Sequence, residues 1–219
     1  MDNSRLVKIY TEAGRLFDSK GYSDTKMAEI AKASGIAVGT MYSMFTGKEA
    51  VLSFVLQATL DKSYFDREIE LPIKAINVSI LLKQLKDIMK RAEEILTITN
   101  ETGIVCKDFL TLMEEIFDYF ADYLLALTVI EKHAGVLEEL NQEYYPAKNQ
   151  YFAKLEECLN LYMRAGQIVQ VDYIFSHVIF LTNTLSWWAM NANLSLSQMI
   201  PHNIAKETCL GIIERAYRP

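Results

Sequence analysis

Apolar residues recur at helical spacing along almost the whole of the 219-residue chain. In residues 4–20 they follow i, i+3, i+4, i+7 spacing, which predicts an amphipathic helix. Lys20 and Gly21 form a typical helix end, because a glycine readily takes the left-handed conformation that closes the last turn. Similar stop signals predict the boundaries of the next three helices. The four predicted helices cover residues 4–20, about 26–34, about 38–45 and about 48–70, and Pro72 marks the break after them.

The helical pattern continues after Pro72. Turns are predicted at residues 99–103 and 195–197, and Pro146 is predicted to break or kink its segment. Only 9 Gly and 4 Pro are present, which disfavours an all-β chain with many tight turns. The sequence therefore predicts an all-α fold. The later predicted helices cover about 76–96, 109–124, 152–162 and 172–188, with a last one from about Gln198 to Ala216.

The segment Thr25–Lys48, with the sequence TKMAEIAKASGIAVGTMYSMFTGK, has the pattern of a helix-turn-helix. The two helices of such a motif come close where they cross, which needs a small residue, here Ala31. Four residues later Gly35 stands in the turn, where a positive φ is required. This spacing predicts a paired set of short helices. The apolar residues expected to pin them together are Ile30, Ile36 and Met41.

The residues around this motif resemble the N-terminal domain of the tetracycline-repressor (TetR) family. The resemblance covers about the first 50 residues without a gap, and the remainder agrees only in length and helical pattern. It implies a three-helix helix-turn-helix domain at residues 1–47 and a larger helical ligand-binding and dimerisation domain at residues 48–219. The matching residues are Phe17, Gly21, Ile30-Ala31, Gly35, Gly39-Thr40-Met41-Tyr42, Phe45 and Lys48-Glu49.

The resemblance implies that each protomer of a homodimer places its third helix in the major groove of double-stranded DNA. Phosphate contacts are then expected from Thr25, from Tyr42 and from Lys48, whose ammonium group acts as a point charge. The remaining positions of the third helix are expected to face base edges. These are Val38, Gly39, Thr40, Ser43 and Met44.

Four positions depart from the residues that are usual in the family. Ala37 stands where a capping hydroxyl is common, Val38 replaces a basic residue, Lys26 a hydroxyl and Ala28 an arginine. The recognition helix therefore lacks an arginine that could bond a guanine. We expect readout by apolar contact of Val38 and Met44 with thymine methyl groups, together with DNA shape. Lys26 is expected to add a phosphate contact.

Charge is distributed unevenly along the chain, which has 22 basic and 28 acidic residues and a formal net charge of −6. Residues 1–50 sum to +1 and the remainder to −7. Any contact with a polyanion is therefore expected at the N-terminal end. Ordinary solvated faces give the same imbalance, so charge alone does not identify a nucleic-acid-binding protein.

Several features favour a cytoplasmic protein without a membrane partner. No apolar run approaches the ~20 residues of a spanning helix, and the N-terminus leads into an amphipathic stretch rather than a signal sequence. Cys106, Cys158 and Cys209 are odd in number and widely spaced, which is typical of reduced thiols and not of a disulfide framework or a zinc site. No cofactor and no metal are expected.

The resemblance also implies a small-molecule effector held among the C-terminal helices. Soft methionine and flat aromatic side chains suit a hydrophobic ligand, although such stripes more often form plain protein core. The charge of the effector stays open between a lipophilic cation and a neutral acyl chain. The expected lining residues are Phe109, Met113, Phe117, Tyr123, Tyr151 and Trp187.

An apolar seam in the last third of the chain is expected to form the dimer interface. The helix that starts near Asp172 is apolar on more than one side, so both its own domain and a partner are expected to cover it. Together with the helix at 152–162 it could build a four-helix bundle across a two-fold axis. The alternative is a central helix buried within one chain. The expected interface residues are Phe152, Leu155, Leu159, Ile174, Val178, Leu181, Leu185 and Trp188.

Catalytic motifs are absent from the sequence, which has no Gly-rich phosphate loop, no H-E-x-x-H and no G-x-S-x-G. His133, His177 and His202 are scattered and form no helical i, i+4 pair. The absence of such motifs disfavours an enzyme, and the resemblance implies a homodimeric, ligand-responsive transcriptional repressor that acts at a palindromic operator. The alternative is an all-α small-molecule-binding or interaction protein that keeps the helix-turn-helix only as a scaffold.

Overall fold

The structure is a computed structural model that describes residues 3–194 and 200–219. These residues form nine α-helices and one short 3-10 helix. They contain no β-strand, only two isolated β-bridges. The predicted all-α class is confirmed. The helices are α1 (Ser4–Lys20), α2 (Met27–Ser34), α3 (Val38–Met44), α4 (Lys48–Leu60), α5 (Val78–Ile95), α6 (Phe109–Lys132), α7 (Glu138–Arg164), α8 (Ile174–Leu194) and α9 (His202–Tyr217).

The chain packs as two compact units. Unit 1 is Met1–Ile88 with Leu125–Tyr144, and unit 2 is Met89–Leu124 with Tyr145–Pro219. Three helices, α5, α6 and α7, have residues in both units. The predicted functional boundary after residue 47 falls inside unit 1, so α1–α3 share their core with later parts of the chain. That boundary stays a prediction about function.

The first three helices form where the sequence predicts them. α1 buries its apolar stripe and ends at Lys20; the N–H of Gly21 just beyond it bonds the carbonyl of Phe17, and the φ of 92° at this glycine turns the chain out of the helix. α2 ends at Gly35 with a φ of 69°, the left-handed turn on which the helix-turn-helix depends. Ala31 is fully buried at the crossing, as its size requires.

The fourth helix is shorter than predicted, because α4 ends at Leu60 and not near residue 70. The Asp61 carboxylate accepts hydrogen bonds from the N–H and hydroxyl of Ser63 and so favours a turn over another helical turn. A 3-10 helix, Tyr64–Asp66, follows. We call residues 61–77 the strap, which ends where α5 begins; Ile76, predicted to lie in a helix, belongs to it.

Helix α7 continues through Pro146, so of the predicted break or kink the break is wrong, and the kink stays a prediction. Pro146 and Gln142 are both exposed. The carbonyl of Gln142 that the proline leaves without a donor therefore faces water, which lowers the cost of keeping the helix intact.

The core of unit 2 is built from the inward stripes of its helices. The side chains of α8 that face this core are Val178, Leu181 and Leu185, all fully buried. The predicted turn at 195–197 and the predicted helix start at Gln198 lie outside the described residues, and α9 begins at His202. No helix among the described residues is long and apolar enough to cross a membrane.

Candidate nucleic-acid interface

Helix α3 has one buried and one exposed face. Met41 and Met44 point into the core and are 0% and 4% exposed, and Phe45 just after the helix is fully buried. Val38 and Tyr42 are 42% and 56% exposed. Packing on one side therefore holds the helix while the other side stays open to solvent. We call the open side the recognition face: Val38, Gly39, Thr40, Tyr42 and Ser43.

Met44 does not reach the recognition face, so its predicted contact with thymine methyl groups is corrected. The helix has only seven residues, and Met44 stands three residues after Met41, on the same side. Its thioether fills the core of unit 1. The apolar part of the recognition face is therefore Val38, with the ring of Tyr42 beside it.

Thr25 is fully buried, which also corrects its predicted phosphate contact. Its hydroxyl donates to the carbonyl of Gly21 at 2.6 Å, and its N–H bonds the carbonyl of Tyr22. The single hydroxyl proton is thus used inside the protein. Thr25 closes the turn between α1 and α2 and is out of reach of a ligand.

Lys48 holds the same turn from the start of α4. Its ammonium donates to the carbonyls of Tyr22 at 2.8 Å and of Ser23 at 3.2 Å, and lies 4.3 Å from the centre of the Tyr22 ring. Two of its three donors are used in this way. Only the third N–H of the Lys48 ammonium is left for the predicted phosphate contact. The contacts that Lys48 makes in the structure attach the α1–α2 turn to α4.

Three charged groups, one of them from the end of α1, meet at the start of α2. Lys26 is exposed, and its N–H donates to a Glu29 carboxylate oxygen at 2.8 Å, while Lys20 pairs with the other oxygen. The hydrogen bond from Lys20, and then the one from the Lys26 backbone, lower the pKa of Glu29. Glu29 therefore stays charged and neutralises Lys20, which leaves Lys26 as the cation that projects from this helix end.

His133, near the end of α6, is a supporting residue that the sequence did not reveal. Its Nε2–H donates to the carbonyl of Phe17 at 3.1 Å, and its Nδ1 accepts the N–H of Tyr22 at 3.5 Å. Because a carbonyl only accepts and an amide N–H only donates, these partners assign the donor role to Nε2 and the acceptor role to Nδ1. Next to it, Lys132 bonds the carboxylate and carbonyl of Asp18. These contacts secure the end of α1 and link residues more than 110 positions apart, beyond any local sequence signal.

The comparisons with known proteins agree with this arrangement. Residues 9–53 match the family model of bacterial regulatory proteins, tetR family. Residues 9–53 are therefore similar to the N-terminal domain of the tetR family. The match begins within α1 and ends within α4, so it contains the whole helix-turn-helix and recognition face. No curated protein sequence matches the chain.

Two solved structures show that the TetR-like fold extends over the full length. The TetR family transcriptional regulator PfmR from Thermus thermophilus is 18% identical, with 96% of this chain and 94% of that chain covered and a TM-score of 0.50. The ketosteroid transcriptional regulator KstR2 of Mycobacterium tuberculosis is 15% identical, with 100% and 97% covered and a TM-score of 0.54. At these identities the likeness concerns the fold alone.

Most of the residues predicted to line an effector site lie in the core of unit 2. Phe109 packs edge-on to Tyr162, and Phe117 packs against His202. Trp187, in contrast, is 57% exposed and does not belong to this core. A cleft of about 340 Å³ in unit 2 has a charged lining that includes none of the six. The buried ones are Phe109, Met113, Phe117 and Tyr123, whereas Tyr151 is half-buried with a buried hydroxyl.

The predicted dimer seam lies on the covered side of α8. Five of its residues are fully buried within the single chain and offer no surface to a partner, so their assignment to the interface is corrected, whereas that of the three half-buried residues stays a prediction. The open side of α8 carries other apolar residues, with Phe180 and Trp187 seven positions apart. The covered seam residues are Leu155, Leu159, Val178, Leu181 and Leu185, and Phe152, Ile174 and Trp188 are half-buried. The exposed aromatic residues around α8 are Tyr173, Phe175, Phe180 and Trp187.

Proposed function

We propose that this protein is a homodimeric transcriptional repressor of the TetR family that binds a palindromic operator through α3 and is released by a small hydrophobic effector. The observation that carries the proposal is the recognition face. Five consecutive or near-consecutive residues of a short helix are exposed or half-exposed, while Met41 and Met44 fix the helix from behind. A helix held in this way suits insertion into a major groove.

The chemistry of the recognition face favours readout without bidentate pairing. Val38 supplies a branched apolar group for a thymine methyl, and Thr40 supplies a hydroxyl. The Ser43 hydroxyl already donates to the carbonyl of Thr40, so it is left to accept. We propose that Tyr42 and Lys26 contact phosphates, since both project from the surface. DNA shape then supplies the remaining selectivity.

Binding to a selected duplex tests the DNA-binding part of the proposal. Lys26→Met should reduce the slope of log affinity against log salt by about 0.9, because one phosphate contact releases about that many counterions. Tyr42→Ala should weaken binding at all salt concentrations by about tenfold, a loss of roughly 1.4 kcal/mol. Fluorescence anisotropy on duplexes selected from a random library, across a salt series, measures both.

Lys83→Met is the matched control, since it removes the same charge from an exposed position on α5. Lys48→Ala is a poorer probe, because it would also release the α1–α2 turn. If no duplex is selected at any salt concentration, the helix-turn-helix is a scaffold and the alternative function, a small-molecule-binding or interaction protein, replaces this one.

We propose that the homodimer forms through the open side of α8 with α9 beside it. Phe180 and Trp187 on α8 are half exposed, and Ile204 and Ile212 on α9 are exposed to a similar degree. A two-fold axis across such a face gives a self-complementary contact between copies. Two recognition helices related by that axis would read a palindrome.

The effector proposal rests on an aromatic cluster within unit 2. The rings of Tyr123, Tyr119, Phe120 and Tyr151 follow one another in that order at distances of 5.3–6.2 Å. Arg91 lies 5.8 Å from the Tyr123 ring and bonds its hydroxyl. A cation in the cluster disfavours a cationic ligand, so we propose a neutral or anionic effector with an apolar body.

Two neighbouring hydroxyls define where the polar group of such an effector would bind. The hydroxyl oxygens of Tyr151 and Thr182 are both buried, and neither makes a hydrogen bond of good geometry with the described residues. Buried polar atoms are normally satisfied, so such a pair is typical of a site that a ligand or water completes. Burial raises the pKa of Tyr151 by more than the adjacent Thr182 hydroxyl lowers it. The phenol therefore stays protonated and can donate.

Equilibrium dialysis with matched probes tests the effector chemistry. Decanol and decanoate are expected to bind more tightly than decyltrimethylammonium, because Arg91 repels the cation. Tyr151→Phe should weaken binding of decanol by about fivefold, the loss of one hydrogen bond of about 1 kcal/mol. Tyr145→Phe, an exposed tyrosine on the same helix, serves as control. Equal or tighter binding of the cation would contradict the proposal.

A further inference from the structure

The strap is bonded to the end of the recognition helix. The N–H of Ile73 donates to the carbonyl of Met44 at 2.8 Å, and the N–H of Thr46 donates to the carbonyl of Ile73 at 3.0 Å. These two bonds bracket Phe45 in a parallel bridge. The last carbonyls of a helix have no partner within it, so Ile73 supplies one that α3 itself cannot.

The strap is also anchored at its middle. The side chain of Asn3 donates to the carbonyl of Phe65 at 2.8 Å. The rings of Tyr64 and Phe65 stand edge-on to Phe54 at 5.5 and 6.0 Å, and Phe65 also meets Tyr10 at 5.8 Å. Fixed to α1 and α4 at this point, the strap has little freedom before it reaches Ile73.

Helix α5 begins almost at once after the bridge. Asn77 caps it, with its side-chain oxygen accepting the N–H of Ser79 at 2.9 Å, and only residues 74–77 separate Ile73 from the first residue of the helix. Four residues span at most roughly 14 Å when fully extended. Within unit 1, the end of α3 and the start of α5 are therefore joined by a short connection that is pinned at both ends.

We propose that Ile73 is a positioning residue for DNA recognition, and that the strap makes α3 and the first turns of α5 move as one piece. The backbone of Ile73, and not its side chain alone, sets where the C-terminal end of the recognition helix lies. A shift of α5 is then passed to α3 through the bridge. This coupling goes beyond the proposed function, and only the DNA measurements below depend on that function.

Removing one N–H tests the positioning role. Ile73→Pro deletes the donor to Met44, whereas Ile73→Val keeps the amide and most of the side chain, and Lys74→Pro places a proline where neither bond to α3 is lost. For Ile73→Pro we expect the ratio of specific to non-specific duplex affinity to fall at least about fivefold. Both controls should keep the wild-type ratio. If Ile73→Pro only destabilised the protein, the fraction of active protein would fall but the ratio of specific to non-specific affinity would stay at the wild-type value. An unchanged ratio in Ile73→Pro, with or without such a loss of active protein, would overturn the proposal.

Hydrogen exchange of the free protein tests the coupling without DNA. Ile73→Pro should speed amide exchange in residues 38–46 and in residues 78–88 together, whereas Ile73→Val and Lys74→Pro should leave both at the wild-type rate. A change in only one of the two segments would overturn the coupling. This measurement decides the matter even if the chain binds no duplex.

An insertion separates the bridge from α5. Three glycines between Ala75 and Ile76 lengthen the connection but leave both hydrogen bonds of Ile73 available. With a selected duplex bound, wild-type protein should gain protection in residues 38–46 and 78–88, and the insertion variant only in 38–46. Protection of 78–88 that survives the insertion would show that the strap does not carry the coupling.

Discussion

The double substitution of Phe180 and Trp187 by glutamate is expected to give a folded monomer that binds an operator at least about a hundredfold more weakly. Both rings are about half exposed in the single chain and stand seven residues apart, on one side of α8. A dimer across this face would bury four carboxylates, each at a cost of several kcal/mol. Without the dimer, only one recognition helix engages the DNA at a time.

Sedimentation velocity at micromolar concentration and anisotropy on a selected palindrome measure the two effects. Ile80→Glu is the matched control, because it places the same charge on an exposed apolar position of α5. Helical circular dichroism should be unchanged in both variants. A wild-type monomer, or a double variant that sediments as a dimer, would remove the α8 face as the interface.

The helix-turn-helix could be predicted from sequence because its determinants are local. Ala31 must be small and Gly35 must take a positive φ, and both requirements lie within five consecutive positions. The end of α1 at Gly21 follows from the same kind of rule. Signals of this type depend on local backbone geometry, so they hold regardless of how the rest of the chain packs.

The direction in which a side chain points was harder to predict. Met44 belongs to a helix of two turns, too short for periodicity to separate its faces. The seam on α8 failed for the opposite reason, since the helix is apolar on several sides and spacing cannot decide which side faces its own core. Val178 and Phe180 are nearly adjacent, yet one is buried and the other open.

Long-range partners account for the remaining differences. Thr25 and Lys48 were expected to bind phosphate, but backbone carbonyls of the α1–α2 turn take their hydrogen bonds. His133 reaches that turn from just beyond the end of a helix that starts more than eighty residues later. The strap was not predicted because α4 ends at a local turn, in which the Asp61 carboxylate accepts the N–H of Ser63. In the sequence this is a weaker sign of a helix end than Pro72, eleven residues later.

Phe54→Ala is expected to cost about 3–5 kcal/mol of unfolding free energy, the largest stability effect of any substitution considered. Phe54 is 1% exposed, and its ring contacts those of Phe45 at 5.2 Å and Tyr64 at 5.5 Å, besides Tyr10 and Phe65. It therefore joins α1, the residue after α3 and the strap around one side chain. The loss combines the transfer free energy of the ring with the cavity it leaves.

Urea unfolding followed by circular dichroism measures this cost, with Phe54→Leu as the comparison. Leucine keeps much of the apolar volume, so its cost should stay well below that of alanine. A cost for Phe54→Ala below about 1 kcal/mol would contradict a central role for the ring. Because Phe54 packs against both Phe45 and the strap residue Tyr64, the alanine variant should also speed amide exchange in residues 38–46, whereas a cavity felt only by α4 would leave those amides unchanged.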